Sequence, residues 1–110
     1  MKQFFVLLLI LFPLITKAEG PIEINGIYYN FNQYKEASVT WNPNKYVGMV
    51  VIPSKVSYNE VEYKVTEIGN SAFSKCKDLT YVSIPNSVTR ISFDAFQNCI
   101  VNFTCKVPRL

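Results

Sequence analysis

The chain has 110 residues, 49% hydrophobic and 17% charged, which is enough for one small domain with an apolar core. Its formal charge of +3 comes from 11 basic and 8 acidic residues without a lysine or arginine run, so nucleic acid is not an expected partner. The chain contains no histidine, which removes the usual imidazole base and the commonest zinc ligand; we therefore expect no enzyme, no metal site and no cofactor.

Residues 1–18 are predicted to be a signal peptide. Lys2 supplies a positive start, an apolar run covers residues 4–15, and Thr16 and Ala18 are short residues at the positions that a signal peptidase reads. We expect cleavage after Ala18, with Gly20 as the second choice. The mature chain would then be secreted or cell-surface and would not remain in the membrane. An uncleaved anchor is the alternative, although the apolar run is shorter than the roughly 20 residues of a membrane span.

Residues 19–64 are predicted to form an antiparallel β cap with an irregular first turn. The pair Asn25-Gly26 predicts a tight hairpin, because both residues tolerate positive φ. Asn59-Glu60 predicts a second turn between two strands, and residues 36–41 a further strand. The nearly continuous apolar run over residues 48–52 predicts a buried strand.

Residues 65–110 contain two copies of one unit, 65–87 and 88–110. At an offset of 23 residues (65 to 88) most identities are apolar or turn-forming: Val65/Val88, Thr66/Thr89, Ile68/Ile91, Ala72/Ala95, Phe73/Phe96, Cys76/Cys99 and Pro85/Pro108. This period falls in the range of about 20–29 residues that is typical of leucine-rich repeats. The copies therefore predict a β-rich solenoid of short parallel strands with single helical turns, such as residues 94–99. An echo of residues 82–88 at 50–56 suggests an irregular start to the stack.

The repeat is similar to one known family in its order of apolar and small residues. The segments that carry the resemblance are Val65-Thr66-x-Ile68-Gly69, Ala72-Phe73-x-x-Cys76 and Leu79-x-x-Val82-x-Ile84-Pro85. Together they resemble the BspA-type leucine-rich repeat, over about residues 46–110. The resemblance implies a surface or secreted protein of Bacteroidetes-like bacteria or of some mucosal protists. The second copy departs from the pattern, with Ser92 in place of Gly69 and Asn102 in place of Leu79.

One face of the repeat strands is the candidate binding site. In the strand after Leu79, Val82 and Ile84 are expected to point inward, which leaves Tyr81 and Ser83 outward. The candidate protein-binding face comprises these two residues and their counterparts in the second copy, Thr104 and Lys106. Tyrosine is enriched at interfaces, although an incidental surface tyrosine is the alternative.

The three cysteines are predicted to be structural. Cys76 and Cys99 occupy equivalent positions in neighbouring coils about 4.8 Å apart, and parallel side chains at that spacing fit disulfide geometry poorly. We expect a buried, reduced pair. Cys105 is also expected to point inward, but it is the thiol most exposed to reaction if the C-terminal edge of the stack is open.

The repeat and the resemblance predict an exported leucine-rich-repeat module for protein binding or adhesion, whose partner is an extracellular or host-surface protein. The alternative is a structural cap-plus-repeat fragment that has no ligand of its own and works only in a larger array or oligomer. At least three repeats are usually needed for a stable solenoid. We therefore expect either a homodimer through the C-terminal edge or marginal stability of the isolated chain.

Overall fold

The computed structural model describes residues 20–99 and 104–106, which contain nine strands and no helix. The predicted signal peptide lies outside the described residues, and no helix in the described part is long and apolar enough to cross a membrane. The strands are β1 (Ile22–Ile24), β2 (Ile27–Phe31), β3 (Glu36–Thr40), β4 (Gly48–Val51), β5 (Lys55–Tyr58), β6 (Val61–Ile68), β7 (Leu79–Ser83), β8 (Arg90–Ile91) and β9 (Thr104–Lys106).

Two sheets form the walls of a short solenoid. One sheet has the order β1-β2-β3-β6-β5, with β8 also paired to β6, and the other has the order β4-β7-β9. Within the walls β3, β6 and β8 run parallel, and so do β4, β7 and β9. Each coil contributes one strand to each wall, so β3 with β4, β6 with β7 and β8 with β9 make three coils. The predicted solenoid of parallel strands is confirmed.

Both predicted hairpin turns are present. Asn25 (φ 51°) and Gly26 (φ 89°) join β1 to β2, and Asn59 (φ 51°) and Glu60 (φ 64°) join β5 to β6. Positive φ at both central residues matches the right-handed twist of the paired strands. The antiparallel pairing predicted for residues 19–64 is present in β1–β2 and β2–β3, but β3 also pairs with β6 in parallel and forms the first rung of a wall.

Turns rather than helices connect the two walls. Residues 70–75 form consecutive hydrogen-bonded turns, including the bond from Ala72 N–H to the Gly69 carbonyl at 3.2 Å. Ser71 (φ 56°) and Lys75 (φ 59°) have positive φ, which interrupts any helix. The predicted single helical turns are therefore not confirmed. The Asp94 carboxylate joins successive turns, since the Ser71 backbone N–H donates to it at 3.1 Å and the Ser71 hydroxyl at 3.0 Å.

The core is one continuous apolar cluster that runs through all three coils. It contains the residues that the two repeat copies share, and an aromatic ladder at its centre joins Tyr46, Phe73 and Phe96. The ring centroids are 4.8 Å apart between Tyr46 and Phe73 and 5.1 Å apart between Phe73 and Phe96. The residues that are completely or almost completely buried include Tyr29, Val39, Val65, Ile68, Phe73, Cys76, Leu79, Val82 and Val88. The repeat keeps its apolar positions because each of them faces the same position in the next coil.

Candidate protein-binding face

The sheet of β4, β7 and β9 brings the four residues of the predicted site into two adjacent rows. The register pairs Met49 with Tyr81 and Tyr81 with Thr104, and then Val51 with Ser83 and Ser83 with Lys106. Residues at alternate positions of paired strands share one face of the sheet. These six positions are called the outward face below.

The burial of β7 agrees with the predicted orientation of its side chains. Val82 is completely buried and Ile84 is 6% exposed, whereas Tyr81 and Ser83 are partly exposed. Both inward residues belong to the core cluster. The role of Tyr81 and Ser83 in binding remains a prediction, and so does that of Thr104 and Lys106, whose positions are fixed by the backbone register.

Two residues of the outward face, Met49 and Val51, were missed by sequence reasoning. The run 48–52 was predicted to be buried, but Met49 is 69% and Val51 62% exposed, while Val50 and Ile52 are buried. That prediction is wrong because β4 covers the core with one side only. The echo between residues 50–56 and 82–88 carried the missing signal, since it aligns Val51 with the outward Ser83.

The chain just before β4 is held rigidly against the core. The Tyr46 hydroxyl donates to the Thr40 carbonyl at 2.7 Å and accepts a hydrogen bond from the Tyr28 backbone N–H at 3.0 Å. Burial raises the pKa of Tyr46 strongly, because the charged phenolate would be poorly solvated there. These two hydrogen bonds tie the segment just before β4 to β2 and β3.

The rim of the outward face is basic. A shallow depression of about 400 Å³ lies beside the start of β4 and is lined by Lys45, Lys75, Lys77 and Asp78 together with Val47. Val47 is itself 60% exposed. At this end the apolar strip is therefore bordered by more positive than negative charge.

The thiols within the described residues are free. Cys76 is buried and Cys99 is partly buried, and the Cys99 Sγ donates to the Phe73 carbonyl at 3.2 Å. Burial raises the pKa of both thiols and so disfavours the reactive thiolate form. The expected reduced pair is confirmed, although Cys99 is less buried than predicted; the side chain of Cys105 lies outside the description. Across residues 20–99 and 104–106, no three Cys, Asp or Glu side chains group as metal ligands would.

A family model supplies the decisive comparison. The model of the BspA type leucine-rich repeat region matches residues 51–108, more than half of the chain. The chain belongs to the BspA-type leucine-rich-repeat family. No curated protein matches this BspA-type chain.

Solved structures agree with the family. A leucine-rich repeat protein from Bacteroides ovatus is 31% identical, with a TM-score of 0.68 over 79% of this chain and 23% of that chain. A leucine rich cell surface protein from Faecalibacterium prausnitzii is 28% identical, with a TM-score of 0.63 over 76% of this chain and 22% of that chain. The BspA-type chain thus spans less than a quarter of the length of either structure.

Family membership indicates a general role. BspA-type proteins are typically at the cell surface or secreted, and leucine-rich-repeat proteins are generally binding modules rather than enzymes.

Proposed function

We propose that this BspA-type chain is an exported adhesion module that binds an extracellular or host-surface protein through its outward face. The observation that carries the proposal is the register of β4 and β7, which places the exposed Met49 and Val51 beside Tyr81 and Ser83. Methionine and tyrosine are among the residues enriched at the centres of protein interfaces. Their neighbours in β9 extend the same rows.

The sheet beneath this face supports the proposal energetically. Buried neighbours such as Val50 and Val82 fix the strands that carry the outward residues. A binding surface that is already ordered loses little conformational entropy when a partner docks. A few residues usually supply most of the binding energy of an interface, and Tyr81 is the aromatic residue at the centre of this one.

Export is part of the proposal. The predicted signal peptide over residues 1–18 would carry the chain out of the cytoplasm and be removed by cleavage. The surface and secreted proteins of the family support this location. Expression of the full chain in a bacterial host, followed by mass spectrometry of the secreted product, tests it. A product that begins at Glu19 supports cleavage after Ala18, and an intact N terminus in the membrane fraction contradicts it.

Binding is tested with the full chain and matched variants. Pull-down from extracellular-matrix and host-cell surface proteins identifies a partner, and titration then gives its Kd for wild type, Tyr81→Ala and Met49→Ala. We expect each variant to weaken binding by at least about tenfold, as alanine substitution at the centre of an interface does. Tyr34→Ala is the control, because Tyr34 is 71% exposed and lies between β2 and β3. The proposal fails if no partner saturates at micromolar concentration, or if the Tyr34 variant loses as much affinity.

A structural role within a larger array is the second candidate. The chain covers 23% and 22% of the two solved relatives, and within the described residues β9 pairs with β7 alone. The other side of β9 would pair with a further coil or with a second copy, which gives the predicted homodimer. Sedimentation of the full chain distinguishes the candidates. A dimer without other partners favours the structural role, and a cooperatively melting monomer that binds a host protein contradicts it.

A further inference from the structure

The strand β4 has an unpaired side within the described part of the chain, because it stands at the end of the order β4-β7-β9. The Ile52 backbone N–H donates to the Ser83 carbonyl at 3.0 Å, and the Gly48 N–H donates to the Asp78 carbonyl at 2.8 Å. The backbone N–H and carbonyl groups of the even-numbered residues 48–52 therefore point toward β7. Backbone groups alternate sides along a strand. The N–H and carbonyl groups of Met49 and Val51 consequently point away from β7, toward the free edge.

A groove runs along this free edge. Two cavities of about 290 and 470 Å³ lie between β4 and the β1–β2 hairpin, and both are lined by Asn25, Ile27 and Val51. Because they share these residues, the two cavities are adjacent, and together they are called the groove below. Ile27 and the neighbouring Tyr29 are buried core residues, which makes the far wall apolar.

The charges of the groove have one sign. The residues that line it include Lys45 before β4 and Lys55 after it, and no aspartate or glutamate is among these described lining residues. Lys55 has one acidic neighbour, Glu62, at 3.7 Å. Both of these side chains are more than 60% exposed, and such surface ion pairs contribute little. Lys55 is therefore free to meet another carboxylate.

We propose that the free edge of β4 binds an acidic, extended peptide segment of the partner protein by strand addition. Backbone hydrogen bonds to Met49 and Val51 would hold the segment, its apolar side chains would fill the groove, and acidic residues at its two ends would meet Lys45 and Lys55. This mode of recognition is known from other sheet edges. The inference rests on the proposed function in one respect, that the ligand is a protein. The contact itself differs, since it uses the edge of the sheet and not the outward face.

A second copy of the chain fits this edge poorly. If two β4 strands paired about a twofold axis, each would bring its own Lys45 and Lys55 to a groove that already carries both lysines. The like charges would oppose the pairing. An acidic peptide would instead place its carboxylates near Lys45 and Lys55, so the charges would attract.

The experiment uses the full chain and a fluorescent nine-residue peptide in which valine and threonine alternate between two glutamates at each end. We expect saturable binding by fluorescence anisotropy at micromolar concentration, weakened by salt, and no saturable binding of the same peptide flanked by lysines. Two further peptides carry N-methyl groups on either the odd or the even central residues. Only one set of N–H groups can face β4, so one methylated peptide should lose binding at least about fivefold and the other should keep it.

Variants of the protein, tested with the unmodified acidic peptide, examine the same edge. Val51→Pro removes the outward N–H at an edge position, where proline is tolerated, and should weaken binding at least about fivefold, whereas Val51→Thr keeps the N–H and should bind within about twofold of wild type. Lys45→Glu and Lys55→Glu should each weaken binding. Lys35→Glu makes the same charge change at an exposed position between β2 and β3 that does not line the groove, and it should not weaken binding.

The proposal is overturned if both methylated peptides bind equally, if the lysine-flanked peptide binds as well, or if no peptide saturates. Self-association that Val51→Pro abolishes would overturn it too, since a second copy would then occupy the edge. Failure of the proposed function is a separate result. If the peptides fail while a host protein still binds in a Tyr81-dependent manner, only the edge inference is refuted. If the peptides bind while Tyr81→Ala affects no ligand, only the outward face is refuted.

Discussion

Phe73 is the residue whose removal should most directly test the stacked core. It is completely buried, and it contacts Tyr46 in the coil before and Phe96 in the coil after, with ring planes 4° apart in the second pair. Phe73→Ala removes a buried aromatic side chain, a change that typically costs about 3–5 kcal/mol. This cost includes the two lost aromatic pairs, each of which contributes about 0.5–1.5 kcal/mol. It is a large part of the roughly 5–15 kcal/mol of stability that is typical of a folded domain.

Urea denaturation, followed by circular dichroism and by Trp41 fluorescence, measures this loss. We expect Phe73→Ala to lower the free energy of unfolding by at least about 3 kcal/mol or to prevent folding at room temperature. Phe93→Ala is the matched control, because Phe93 is 99% exposed and its loss should change stability by less than about 0.5 kcal/mol. A loss below about 1 kcal/mol for Phe73→Ala, or equal losses for both variants, would refute the ladder as the centre of the fold.

Three further predictions concern polar groups. Tyr46→Phe should lower the free energy of unfolding by about 1–3 kcal/mol, because it leaves the buried Thr40 carbonyl and Tyr28 N–H without their partner; urea melts of wild type and variant measure the difference. Burial raises the pKa of Tyr29 to about 12, whereas in the unfolded chain tyrosine titrates near 10. As the pH rises, the unfolded state releases this proton first, so the free energy of unfolding is at its full value below pH 10 and falls as the pH rises toward 12. An unchanged free energy of unfolding across that window would contradict this, and so would an equal alkaline loss in Tyr29→Phe. Asp94→Ala should cost about 1 kcal/mol by removing the acceptor that joins two coils through Ser71, and a thermal melt identical to that of wild type would show that the link contributes nothing.

The sequence was informative wherever a residue has the same neighbours in every coil. Phe73 and Phe96 are equivalent in the two copies and stack on each other, and Val65 and Val88 are both completely buried. The hairpin at Asn25-Gly26 was equally predictable, because its conformation depends on the two turn residues themselves. Turn-forming residue pairs and repeated apolar positions can therefore both be identified in a single sequence.

Only part of the first coil could be predicted, because the partners of β3 are distant in the chain. Nothing local to residues 36–40 shows that β3 pairs in parallel with β6, since that pairing depends on the insertion of the β5–β6 hairpin between two coils. The exposure of Met49 and Val51 was hidden for a similar reason. An unbroken apolar run does not show whether one side of a strand or both sides will be covered.

The strand β6 also sets the order in which the molecule can come apart. Its first half pairs with β5, while its second half pairs with β3 on one side and β8 on the other. Solenoids tend to fray from their ends, coil by coil. Here β6 belongs both to the second coil and to the β5–β6 hairpin, and it also pairs with β3 of the first coil. We therefore expect the first two coils to unfold together, while the short β8 can separate alone. In amide hydrogen exchange the slowest protons should therefore cluster along β6, and the last coil should exchange first.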